Sequence, residues 1–134
     1  MMTRLRRTAL AAASAVLLCS TAVFGADFDG STRLICATVD AHACDPGEAC
    51  LRGLPDDLGL PRFMRIDFAA KTIAGPKRTT QIRYMDASTD QILMQGTELG
   101  YAWTVVLDKV DGSISMTLVS RDDAFTAFGY CTPP

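Results

Sequence analysis

Tyr101-Ala-Trp-Thr-Val-Val-Leu-Asp-Lys-Val-Asp-Gly-Ser-Ile-Ser-Met-Thr-Leu118 is the stretch whose reading decides the fold. Tyr101, Trp103, Val105 and Leu107 occupy every second position, and Ile114, Met116 and Leu118 do the same after Asp111-Gly112. A period of two belongs to strands, whose side chains alternate between the two faces of a sheet. Asp-Gly supplies the positive φ that a tight hairpin needs and is the strongest hairpin signal in the chain. The stretch therefore predicts two antiparallel strands with one buried face.

The same alternation spreads outward in both directions. Met64, Ile66 and Phe68 alternate with Phe63, Arg65 and Asp67, and Ala69-Ala70-Lys71 turns the chain into a short return at Thr72 to Ala74. Gly75-Pro76 breaks that return, after which Thr80, Ile82 and Tyr84 alternate with Thr79, Gln81 and Arg83. Asp86 to Asp90 reads as a turn before Ile92 and Met94, and Gly96 to Gly100 as the next. Downstream, Arg121-Asp122-Asp123 turns into Phe125 to Cys131; upstream, a first strand runs from Arg33 to Asp40. Helical periodicity is missing, while Thr, Val and Ile stand where strands favour them. The prediction is an all-β protein, an antiparallel meander of about seven or eight strands that forms a closed or strongly curved small barrel. Closure has a physical motive, since it removes edges open to aggregation.

The first residues have a different character. Arg4, Arg6 and Arg7 form a basic patch, no charge follows from Thr8 to Ala26, and Ala9 to Leu18 is rich in Ala, Leu and Val. Val23 and Gly25 are small residues at the −3 and −1 positions of a cut before Ala26. Cuts after Ala22 or Ala26 also fit. Residues 1–25 thus read as a cleavable signal peptide, an N-terminal signal helix ahead of a single disulfide-bearing β domain at 26–134. A retained anchor fits less well, because Ala, Ser and Thr dilute the stretch and Asp27 follows at once. Cys19 lacks the small residue expected before a lipid-modified cysteine, and the residues after Arg6-Arg7 fit a twin-arginine signal poorly. The expected location is the periplasm or the exterior.

Removal of residues 1–25 takes away three arginines and no acid. Ten basic residues then face fifteen acidic ones, a net charge of −5 over 109 residues. A mildly acidic domain without a Lys/Arg run has no electrostatic footprint for nucleic acid. No second stretch is long and apolar enough for a stable membrane span after processing.

Five cysteines become four once Cys19 is removed. In an oxidising compartment four cysteines read as two disulfides, with three possible connectivities. The Pro-Gly turn in Cys44-Asp-Pro-Gly-Glu-Ala-Cys50 favours Cys44–Cys50, leaving Cys36–Cys131 to tie the first strand to the last. The competing reading is a metal cluster of Asp40, His42, Cys44, Asp45 and Cys50. The paired spacings of zinc sites are missing, so no metal or cofactor is expected.

Catalytic constellations are thin. His42 is the only histidine and no G-x-S-x-G occurs. Asp56-Asp57 and Asp122-Asp123 lie in turns, where neighbouring carboxylates are solvated rather than held at the separation glycosidases use. A hydrolase is the third-ranked reading, and no catalytic residue is assigned. Binding has more material. The Asp45–Pro61 loop, pinned by cysteines, presents Glu48, Arg52, Asp56 and Asp57 as candidate contacts with a protein or envelope component. The alternative is a small apolar-ligand carrier whose cavity is lined by Tyr101 and Trp103, with Phe125 or Phe128 opposite. Strand alternation equally explains Trp103 as core.

Arg62-Phe-Met-Arg-Ile-Asp-Phe68, Ile92-Leu-Met-Gln-Gly96 with Gly100-Tyr-Ala-Trp103, and Phe128-Gly-Tyr-Cys131 resemble a group of small exported bacterial proteins of unassigned activity. The resemblance covers most of the mature chain and implies export and a β fold, with no catalytic residues. In size, export and disulfides the chain is also similar to the periplasmic lysozyme inhibitors, which are small β-barrels, although their inhibitory loop motif has no counterpart here.

Overall fold

Period-two patterning becomes sheet along most of residues 28–134, the part described by the computed structural model. The expected signal segment, with Cys19, lies outside the described residues. Ten strands form in chain order: β1 (Leu34–Cys44), β2 (Leu51–Gly53), β3 (Phe63–Asp67), β4 (Thr72–Ala74), β5 (Thr79–Gln81), β6 (Tyr84–Ala87), β7 (Gln91–Glu98), β8 (Tyr101–Asp108), β9 (Ser113–Val119) and β10 (Ala124–Thr132). All belong to one antiparallel sheet ordered β5-β4-β3-β1-β10-β9-β8-β7-β6, with β2 beside the end of β1. The fold is all-β, and the sheet curls into a half-barrel.

Each strand sends alternate side chains to the concave side. Leu34, Cys36, Ile66, Ile92, Met94, Val105 and Leu107 are fully buried there, and Met64, Ile73, Trp103, Ile114 and Met116 complete the core. Phe28 crosses one open end, its ring filling the place a Cβ would take on Gly112. The Leu99-Gly100 hairpin between β7 and β8 places both residues at positive φ, the two-residue turn whose twist matches paired strands.

The strand count exceeds the seven or eight expected, for identifiable reasons. Thr79 to Tyr84 reads as one alternating strand but divides into β5 and β6, which are opposite edges of the sheet. Ile82-Arg83 carries the chain between them. The Ile82 N–H donates to Lys71 O at 2.9 Å and the Arg83 N–H to Gln95 O at 2.8 Å, so each residue serves a different edge. The seam is therefore crossed by the chain itself and not by a ladder, and of the two expected forms the strongly curved sheet is the one observed. The Trp103 Nε1–H, from β8, donates across the same seam to Thr80 Oγ1 at 3.3 Å. The turn expected over Asp86 to Asp90 is shorter, because Asp86 and Ala87 pair with Leu93 and Ile92. The region 45–61, read as a loop, contains β2 and a short 3₁₀ turn at Asp56–Leu58.

β1 also outruns its expected end at Asp40. A β-bulge at Val39 shifts the β1–β10 register between Thr38 and Asp40, and the extra residue breaks the apparent alternation. Thr38 is buried there and donates its hydroxyl to Pro61 O at 2.7 Å, while its N–H donates to Arg62 O at 2.9 Å. Opposite the bulge stands Gly129, where a Cβ would collide with the Ala37 carbonyl.

Both expected disulfides are present. Cys36 and Cys131 face each other in the β1–β10 register, and the Cys131 N–H is used on its other side by Gly112 O at 2.8 Å. Cys44–Cys50 continues the β1–β2 register one step beyond Ala43 opposite Leu51. Each bridge thus staples residues that sheet pairing already opposes. The first is buried in the core; the second sits at the surface.

Two outcomes follow. Gly129→Ala lowers stability by about 1–3 kcal/mol in denaturant unfolding, since only backbone movement relieves the clash. Gly47→Ala, in open space, costs only the positive-φ strain and serves as the control. Under limiting dithiol reductant, thiol alkylation followed by peptide mass mapping labels Cys44 and Cys50 before Cys36 and Cys131, because exchange needs access to the sulfur.

Candidate functional site

β10 reverses the usual distribution of residue size. In its C-terminal half the inward residues are the small Ala127, Gly129 and Cys131, Phe125 being the large inward side chain nearer its start, and the outward residues between them are Phe128 and Tyr130. At Gly129 the β1 backbone lies so close that a Cβ would collide with the Ala37 carbonyl, so no side chain fits there. The outward pair stands in solvent, Phe128 42% and Tyr130 61% exposed.

Register extends this into a surface. Tyr130 lies opposite Ala37 on β1, and Ala37 lies opposite Phe63 on β3, which is 56% exposed. On the other side Tyr130 faces Ser113 of β9. Ala37 is thus a low point between two aromatic walls. Ile35 continues the patch one pleat below, and Val39 and Phe128 continue it above. Isolated apolar residues on a surface are ordinary, whereas these form a contiguous group on three paired strands.

Charged groups border the patch. Arg52 of β2 donates from Nε to Asp40 Oδ1 at 2.8 Å, above Phe128. That hydrogen bond holds the Asp40 carboxyl below the ordinary aspartate range. Arg62 lies 3.7 Å from the Asp56 carboxylate, with its guanidinium carbon 6.0 Å from the centre of the Phe63 ring. Arg33 meets Asp67 at 2.7 Å. Arg65, exposed and opposite Ile35, has no ion-pair partner among the described residues. It joins Ile35, Phe63, Ala74 and Gly75 around a shallow depression of about 200 Å³. A second depression, of about 190 Å³, is polar and includes Asp90 and Asp108. There Asp108 Oδ1 already accepts the Val110 and Asp111 N–H groups of the hairpin turn.

The residues singled out from sequence are not brought to one place. Arg52 and Asp56 lie at the rim of the patch through their ion pairs. Glu48 stands exposed on the Cys44–Cys50 loop and Asp57 on the 3₁₀ turn. Trp103 is core: its indole covers Gly96 directly opposite, where a Cβ would meet the ring. Neither depression includes Tyr101, Trp103 or Phe125. Tyr101 works as a latch, its hydroxyl donating to Asp123 Oδ2 at 3.0 Å and its ring 6.1 Å from Phe125. Phe128, expected opposite Trp103, points to the other side of the sheet. His42 faces outward, opposite Thr126 and Arg52. The Asp40 carboxylate is taken by Arg52, and among the described residues no hydrogen bond links His42 to Asp40 or Thr126. Cys44 and Cys50, once considered with His42 as ligands, are bonded to each other.

Phe63 and Tyr130 were not in the sequence-derived set, and Phe128 was in it only as a candidate wall of an inner cavity. Their signal was legible as aromatics on the non-core half of an alternation whose other half is Met64 and Ile66, or Ala127 and Cys131.

The latch has a pH signature. The hydrogen bond to Asp123, then burial, then the charge of Asp123 raise the Tyr101 hydroxyl above its ordinary value near 10. A proton held more tightly when folded contributes stability that is complete below pH about 10 and is lost as pH rises through the folded value. Ultraviolet titration of the folded protein shows one tyrosine ionising late, and Asp123→Asn returns it toward the ordinary range.

Compared with known proteins, the chain matches no family model, no curated protein and no solved structure, so its function must be argued from this geometry.

Proposed function

We propose that this protein is an exported, non-enzymatic binding module for a protein or cell-envelope component, and that it binds through the outer patch on β3, β1 and β10. Two disulfides fit an oxidising compartment, periplasmic or extracellular. The N-terminal pattern of basic patch, apolar run and small residues supports export by a cleavable signal. No helix among the described residues is long and apolar enough to cross a membrane.

The observation that carries the binding reading is the outward placement of Phe63, Phe128 and Tyr130 around Ala37. Three aromatics left in water on paired strands gain the fold only modest cross-strand contacts, and aromatics are enriched where proteins meet others. The strands hold them in place, so little order is lost on contact. The cysteine-pinned loop contributes at the rim, where Arg52 and Asp40 stand above Phe128.

Site-specific photocrosslinking tests the assignment. A benzophenone side chain at Phe63 or Tyr130, in the disulfide-bonded protein exposed to envelope and medium fractions, yields one saturable adduct of defined mass. The same probe at Val110, 80% exposed on the β8–β9 turn, yields none. Equal labelling at all three positions, or adducts at Glu48 and Asp57 alone, would overturn the patch as the contact surface.

A further inference from the structure

We infer that the patch receives an extended acidic segment of a partner protein, with Arg65 as the seat of its carboxylate. This deepens the binding reading above and rests on it. Charge is the first observation. Arg33, Arg52 and Arg62 around the patch each face an aspartate, at 2.7, 2.8 and 3.7 Å. Among the described residues Arg65 is the arginine of this face without an ion-pair partner, so it brings an uncompensated positive charge to the patch on a domain whose net charge after processing is −5. Arg65 lines a depression with apolar walls at Ile35 and Phe63, and a planar guanidinium fork suits a carboxylate bound in two-point fashion.

Register supplies the second observation. Along β1 the charged level is that of Ile35, opposite Arg65. The next outward level is Ala37, between Phe63 and Tyr130, and the one after is Asp40, opposite Phe128, beyond the Val39 bulge. Successive outward levels of a strand are two residues apart, roughly 6.6 Å. An extended segment lying along β1 therefore meets Arg65 with one residue, the Phe63–Tyr130 walls with the residue two further on, and Phe128 with the residue about four further on. The matching ligand has an acid followed at these spacings by two apolar side chains.

Area and symmetry disfavour a second copy of this chain. Three aromatics, each about half exposed, offer roughly 300 Å² out of the 150–250 Å² each can bury. A stable protein–protein interface needs about 800 Å² per partner. A two-fold contact through this face also brings two unmatched Arg65 groups into one interface while the aspartates of its rim are already paired with Arg33, Arg52 and Arg62.

Fluorescence polarisation with the full disulfide-bonded protein provides the test. The probe is a labelled octapeptide of Ser and Gly carrying Asp, Leu two residues later and Phe four residues later. It should bind at least about tenfold more tightly than the same peptide with Asn for Asp. Arg65→Gln should erase that difference, and Tyr130→Ser should weaken both peptides, with far-ultraviolet dichroism and melting temperature confirming that each variant is folded. Equal binding of the Asp and Asn peptides, or an Arg65→Gln protein that still prefers Asp, overturns the inference. So does Tyr130-dependent dimerisation in sedimentation, or Arg65-dependent binding to anionic lipid vesicles in place of the peptide. If no peptide binds while crosslinking at Tyr130 persists, the patch stands as a contact surface and the acidic segment falls.

Discussion

Pairing of the first strand with the last is the constraint on which the rest of the structure depends. β1 and β10 are joined by a long antiparallel ladder, broken once at the Val39 bulge, and by Cys36–Cys131, two residues 95 apart in sequence. Every other ladder except the β1–β3 pairing links strands adjacent along the chain, so they form from local turns. The β1–β10 ladder alone turns a meander into a curled sheet with an inside. Closing a loop of that length by a covalent bond removes on the order of 4–5 kcal/mol of disorder from the unfolded chain. The bridge reinforces a register that pairing already chooses.

The same ladder produces the surface we associate with function. The Val39 bulge and the side-chain-free Gly129 let the two backbones approach, and small inward residues follow from that approach. β10 therefore contributes little bulk to the core, which is filled from the facing walls by Met94, Trp103, Val105 and Leu107. Phe125 packs inward beside Tyr101, while Phe128 and Tyr130 stand outward. Structure and display are linked through one residue: a larger side chain at position 129 would force the strands apart and change both faces.

Electrostatics around the patch are local in character. The ion pairs of Arg33, Arg52 and Arg62 are exposed, so each adds little to stability. Their importance lies in orientation. Arg33 joins the start of β1 to the end of β3, Arg52 joins β2 to β1, and Arg62 pairs within the β2–β3 connection; each cancels its own charge, leaving Arg65, among the described residues, as the uncompensated group beside the apolar wall.

The sequence by itself determined the all-β class, the turns at Ala69-Ala70-Lys71 and Asp111-Gly112, and the inward set from Met64 to Met116; it favoured one of three disulfide connectivities, and the fold decided it. The first three depend on local rules: a period of two and residues that accept positive φ. Where local rules gave no purchase, tertiary structure decided. Thr79 to Tyr84 alternates without a break, yet the chain passes there from one edge of the sheet to the other, because the curl brings those edges together. β1 continues past Asp40 because a bulge, invisible to a strict period of two, restores its phase. The outward aromatics were written in the sequence, but their assembly was not. Phe63 and Tyr130 are 67 residues apart, and only the β3–β1–β10 register, set by long-range pairing, places them on either side of Ala37.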